Sequence, residues 1–124
     1  MLVKMLRCKL HRATVTECDL HYQGSLAIDA DFIREAGFLP NEHIEVYNID
    51  NGERFTTYVI EGKPGSGMIG LNGSAARRAH VGDKIIICSF AQMTIEEAKT
   101  HKPRVVVLGP ENKIARITST PGPD

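Results

Sequence analysis

Short runs of alternating apolar and polar residues, cut by turn residues, fill most of this chain and leave room only for brief helices. From Leu6 the apolar positions are Leu6, Cys8 and Leu10 and the polar ones Arg7, Lys9 and His11, the period of a half-buried strand. The phase then changes to Ala13 and Val15, so a bulge or bend is expected near His11 and Arg12. After Cys18-Asp19-Leu20, the stretch through Ile28 reads as a strand. An aspartate near the start and Gly37 just past the end frame a helix of about two turns. Glu42 to Ile49 and Glu53 to Glu61 alternate on either side of Asp50-Asn51-Gly52, which predicts a hairpin. On its second arm Arg54, Thr56 and Tyr58 share one face, and Phe55, Thr57 and Val59 share the other. Gly62 to Gly67 is a loop without a phosphate-binding fingerprint. Met68 to Leu71 is a short strand, and the turn residues from Asn72 lead into a single helical turn through Arg78, where exposed N–H groups can hold a carboxylate. Lys84 to Phe90 is a nearly all-apolar buried strand, Thr94 caps a short helix with Glu97 three residues on, and Arg104 to Leu108 is the final strand. The series predicts a mainly β fold, a small closed β-barrel with short helices, and leaves the strand crossing order open.

A chain of 124 residues forms one domain, expected over residues 1–115, with a polar, Pro-rich and disordered tail over 116–124. Fifteen basic and fifteen acidic residues balance, which argues against a sequence-independent grip on nucleic acid or an anionic membrane surface and points to a small ligand. Apolar runs such as Ile85-Ile86-Ile87-Cys88 are too short to span a bilayer, and Lys4, Arg7 and Lys9 interrupt any secretion signal, so a cytoplasmic protein is expected. Three cysteines, Cys8, Cys18 and Cys88, are an odd number and read as reduced thiols. Cys8 with His11 and Cys18 with His21 suggest zinc, but residues three apart on a strand point to opposite faces, and the expectation is no metal.

The chemistry centres on one peptide bond, Gly24 to Ser25, within Tyr22-Gln23-Gly24-Ser25-Leu26-Ala27-Ile28. Glycine lets a neighbouring hydroxyl approach its carbonyl carbon closely. Attack by the Ser25 hydroxyl on that carbonyl would turn the amide into an ester; β-elimination would then cut the chain and leave dehydroalanine, which hydrolyses to a pyruvoyl group. A serine hydrolase is the competing reading of Ser25, but no G-x-S-x-G elbow surrounds it.

Leu20-His21-Tyr22-Gln23-Gly24-Ser25-Leu26-Ala27-Ile28-Asp29 resembles the processing segment of the pyruvoyl-dependent aspartate 1-decarboxylase family. Lys9-Leu10-His11-Arg12, Asn51-Gly52-Glu53-Arg54-Phe55-Thr56-Thr57-Tyr58 and Asn72-Gly73 extend the resemblance over about residues 1 to 115. It implies a double-psi β-barrel assembled as a homotetramer, with sites between subunits and the chain self-cleaved into a small β chain, 1–24, and a large α chain, 25–124. It implies conversion of L-aspartate to β-alanine and carbon dioxide for pantothenate synthesis, through a Schiff base with the pyruvoyl group from Ser25 and without metal or pyridoxal phosphate. Tyr58 is then the proton donor, whereas its plain reading is a packed strand-face aromatic. Lys9, Arg54, Thr57 and the backbone of Gly73-Ser74-Ala75 hold substrate; Gly-Ala-Ala is the expected run, so Ser74 departs from it. His11 and Tyr22 are candidates to orient or activate Ser25, and Thr57 or Asn72 to stabilise the oxyanion on Gly24. Alternation points Thr57 away from Arg54 and Tyr58, so strand twist or a two-subunit site must reconcile them. Whether a maturation partner assists cleavage is left open, and the alternative is an uncleaved, non-enzymatic β-barrel binding module.

Overall fold

A computed structural model describes residues 1–120. Among these described residues nine strands occur in the order β1 (Leu2–Thr14), β2 (Glu17–Asp19), β3 (Ser25–Asp29), β4 (His43–Asn48), β5 (Arg54–Gly62), β6 (Ile69–Asn72), β7 (Lys84–Thr94), β8 (Arg104–Leu108) and β9 (Ile114–Thr118). Helix α1 (Ala30–Ala36) follows β3, α2 (Ile95–Thr100) follows β7, and a 3-10 helix over Gly73–Arg77 follows β6. The strands form one mainly antiparallel sheet ordered β2-β6-β3-β5-β4-β7-β1-β8-β9. Strand β2 stands at one margin and β1 six places along, yet β1 runs into β2 through Val15 and Thr16 alone. The amides of those two residues donate to Asp83 and Ile69, each at 2.9 Å, so the chain itself draws β1 and the β2 margin of the sheet together, as a small barrel requires. Inside lie Leu10, Leu26, Ile28, Ile44, Val46, Val59, Ile69, Leu71, Ile85 and Ile87, all at 0% exposure. No helix among the described residues is long and apolar enough to cross a membrane.

The expected bulge is present: the β1–β7 register slips between Leu10 and Ala13, and Arg12 adopts φ 63. A second slip lies between Leu6 and Cys8, where Arg7 drops out of the pairing and reaches Glu42 and Ser89 instead. Helix α1 is capped as predicted, with the Asp29 carboxylate accepting from Asp31 N–H at 2.8 Å and Gly37 at φ 94 closing the C-terminus. Asp29 also accepts from the amides of Gly65 (3.1 Å) and Gly67 (2.8 Å), which anchors the 62–67 loop. Thr94 and Glu97 form a reciprocal capping box at α2.

Three expectations are corrected. The stretch from Leu20 is not continuous strand: Asp19 accepts from the His21 amide at 3.1 Å, turning the chain out of β2, and pairing resumes only at Ser25. Strand β1 begins at Leu2 rather than Leu6, because β7 extends to Thr94 and pairs with Leu2 to Leu6 there. A ninth strand follows the expected last one and carries order into the predicted tail as far as Thr118; Ile114 to Arg116 and Ile117 are exposed, so no buried face marks it in the sequence. Residues 121–124 of that tail lie outside the described residues.

Candidate active site

Ser25 opens β3 and pairs in register with Asn72, the last residue of β6. This pairing buries both, at 1% and 8% exposure, and brings Asn72 Nδ2 to 3.0 Å from Ser25 Oγ, which accepts its hydrogen bond. The Ser25 hydroxyl donates in turn to the Gln23 carbonyl at 3.2 Å. The tight approach lies at Gly73 rather than Gly24. A Cβ on Gly24 would meet nothing within 4 Å, whereas one on Gly73, at φ 66, would lie 2.7 Å from Gly24 Cα and 2.8 Å from its nitrogen. Only glycine at 73 lets the end of β6 press against the backbone that leads into Ser25.

Gly24 opens onto a cavity of about 620 Å³ whose facing walls are Arg54 to Thr57 from β5 and Ser74, Ala75, Arg77 and Arg78 from the 3-10 segment. Three arginines and no carboxylate line it, which suits an anionic ligand. The Arg54 guanidinium carbon stacks 4.1 Å above the Tyr47 ring centroid, which fixes the fork's plane. Burial, then the hydrogen bond to Glu45, pushes the Tyr47 hydroxyl up to about 12, so it stays protonated beside that arginine. Thr57 lines the same cavity as Arg54 although alternation puts the two on opposite faces; the cavity wraps the first four residues of β5 and both faces contribute. Asn72 and Tyr22 line a smaller cavity of about 300 Å³ with Glu17, Asp19 and Lys63.

Of the predicted residues, Gly24, Arg54, Thr57, Ser74 and Ala75 thus meet in one cavity, with Ser25, Asn72 and Gly73 at its edge. Lys9, Tyr58 and His11 line neither cavity. Lys9 pairs with Cys88 of β7, on whose thiol the charges of Lys9 and Arg54 both act. Tyr58 is 37% exposed, opposite His43, and His11 lies opposite Val107 of β8. Tyr22 is 60% exposed. Sequence reasoning missed the cavity's Phe55, Thr56, Arg77 and Arg78; the Arg77-Arg78 pair just after the Asn72-Gly73 turn was the available signal.

Burial pushes the Cys8 and Cys88 thiols up to about 11, which makes them poor thiolate ligands. No group of three His, Cys, Asp or Glu able to hold a metal occurs among the described residues.

The family model described as aspartate decarboxylase matches residues 1–115. A protein of Methylibium petroleiphilum named aspartate 1-decarboxylase is 61% identical over 113 residues, 91% of this chain and 94% of its own. Proteins of the same name from Ralstonia pickettii (60% identical over 94% of this chain and 97% of its own) and Maricaulis maris (55% identical over 92% and 94%) are similarly close. With a family match over residues 1–115 and a buried Ser25 next to Gly24 of a cationic cavity, this chain belongs to the aspartate decarboxylase family.

Proposed function

We propose that the chain converts L-aspartate to β-alanine and carbon dioxide, using a pyruvoyl group that it makes from its own Ser25. The observation that carries this reading is the buried Asn72–Ser25 hydrogen bond beside Gly24, which opens onto the arginine-lined cavity. The residues fit the group: a serine closed to solvent is held by one donor, and its neighbour faces space sufficient for a four-carbon dicarboxylate.

Maturation uses the chain's own atoms and one water. Ser25 Oγ attacks the Gly24 carbonyl carbon, the Ser25 nitrogen takes up a proton as the amide bond breaks, and an ester joins the two residues. Loss of the Ser25 Cα proton expels the Gly24 carboxylate and leaves dehydroalanine at 25; water then replaces its nitrogen, which departs as ammonia, and a ketone remains. Asn72 holds Oγ by its amide, and the contact of Gly73 with Gly24 limits how far the bond can move away. Thr57, which lines the same cavity as Gly24, donates to the oxyanion that develops on Gly24.

Once formed, the group supplies an electrophilic ketone for the substrate amine and an adjacent carbonyl to accept the electrons of the breaking carbon–carbon bond. Arg54, its plane set by Tyr47, grips one substrate carboxylate with a two-pronged fork, and the Gly73–Ala75 backbone borders the same space. Tyr58 returns a proton to the α-carbon and Lys9 contributes a second cation. Because those two lie off the cavity of one chain, the reading requires a second copy to complete each site, in keeping with a homotetramer. Cytoplasmic β-alanine supply to pantothenate synthesis is the matching role.

L-Aspartate labelled at carbon 1 should release all its label as carbon dioxide, and aspartate labelled at carbon 4 should keep it in β-alanine. Label released from carbon 4, with alanine as product, would overturn the assignment.

A further inference from the structure

Asn48 closes β4 at 3% exposure, and both ends of its side chain are engaged. Its Oδ1 accepts from the amides of Asp50 (2.9 Å) and Asn51 (3.3 Å), which shapes the turn into β5. Its Nδ2 points elsewhere, donating to the Arg78 carbonyl (3.1 Å) and the Asp83 carboxylate (2.9 Å). The Arg78 carbonyl takes a second amide from Asn51 at 3.0 Å, and the Arg78 guanidinium pairs with Glu53 at 2.5 Å.

Turn formation alone does not explain an asparagine here, because aspartate shapes such a turn equally well through its oxygen. Only the amide supplies the two donors. The Asp83 carboxyl is held below the usual carboxylate range by the Asn48 hydrogen bond first and the His80 N–H second, so it faces position 48 as an anion. These donors connect the base of the β4–β5 turn to Arg78, and therefore join the cavity's two facing walls, Arg54–Thr57 and Ser74–Arg78. The second wall is fixed at both ends: by these amides at Arg78, and by the contact of Gly73 with Gly24.

We propose that Asn48 is a positioning residue that, through Arg78 and Asp83, sets the spacing of the cavity walls and holds Gly73 against the Gly24–Ser25 bond. It thereby governs both the cleavage rate and the grip on a dicarboxylate substrate. The inference rests on the decarboxylase reading of that cavity.

The test is Asn48→Asp in the full-length chain, which keeps shape and acceptors and removes both donors. Four quantities are read: the half-time of cleavage by intact mass, kcat and KM for L-aspartate, and backbone hydrogen exchange across 73–78. With the fold retained by circular dichroism, exchange should quicken, and cleavage rate and kcat/KM should each fall about tenfold or more, the scale expected for misplaced reacting groups. A purely structural Asn48 would lower the melting temperature yet leave cleavage, KM and exchange of that segment at wild-type values, which overturns the proposal. If Asn48→Asp does not fold, Asn51→Ala decides, since Asn51 is exposed and supplies one of the two amides on Arg78: faster exchange with a smaller loss in kcat/KM supports the clamp, and wild-type values for both contradict it. Wild-type protein that makes no β-alanine would sink the decarboxylase reading instead, and hydrogen exchange in the two variants would still decide the clamp.

Discussion

Asn72 Nδ2 donates to Ser25 Oγ across 3.0 Å, and neither side chain is more than 8% exposed. Replacing Asn72 by alanine removes that donor and leaves the buried hydroxyl with its bond to Gln23. The variant should fold and cleave about a hundredfold more slowly, the cost of losing one well-placed donor. Following the uncleaved chain over time by mass spectrometry checks this; a wild-type rate would remove Asn72 from processing.

Gly73→Ala introduces a methyl 2.7 Å from Gly24 Cα at φ 66. The backbone strain alone costs about 1–2 kcal/mol, and the clash must displace the Gly24 backbone as well. A lower melting temperature together with slowed cleavage is expected. Cleavage at the normal rate would show that the Gly73–Gly24 contact does not position the bond.

Arg54 and Tyr58 separate maturation from turnover. Arg54 is exposed, so Arg54→Ala should change stability by less than about 1 kcal/mol while kcat/KM for aspartate collapses. Tyr58→Phe keeps the ring and removes the hydroxyl, so cleavage should survive while β-alanine production falls by orders of magnitude. Unaltered turnover in either variant would take that residue out of the site.

Acid sensitivity should be traceable to Glu42. Burial pushes its carboxyl up, but hydrogen bonds from Ser89, the Leu39 amide and Arg7, with the Arg7 charge, outweigh burial and hold it below its ordinary 4.5. A depressed carboxyl contributes stability that is present above its unfolded value and is lost as pH falls through its folded value. Ser89→Ala should therefore cost about 1.5–3 kcal/mol near neutral pH, the range for a hydrogen bond to a charged group. The difference from wild type in denaturant titrations should shrink as pH falls below about 4.5. A difference independent of pH would assign the cost to packing around Ser89.

Local patterns carried much of this fold into the sequence. The phase break at His11-Arg12, the Asp29 and Gly37 caps, the Asp50-Asn51-Gly52 turn and the Thr94–Glu97 box are contacts between near neighbours, and each is present. Strand β9 was illegible because its residues are largely exposed and take their order from pairing with β8. At the site, the Gly24–Ser25 pair and Arg54 were readable from the residues and the family pattern. The crowding at Gly73 and the amide of Asn48 reaching Arg78 were not, since both depend on segments that meet only after the barrel forms. Lys9 and Tyr58 line neither cavity, and no local pattern foretells that, since it depends on where β1 and the middle of β5 come to lie in the sheet.

The central claim is that Ser25 becomes the reactive group, and the mass and N-terminal chemistry of the purified chain test it most directly. Denatured protein should yield one fragment ending at Gly24 and another beginning at residue 25 with a carbonyl, closed to Edman degradation and reactive toward hydrazines, while Ser25→Ala gives a single intact, folded and inactive chain. Ordinary proteolysis would leave a free serine amine in place of the ketone. Turnover of aspartate by an uncleaved protein without a carbonyl at position 25 would contradict the account.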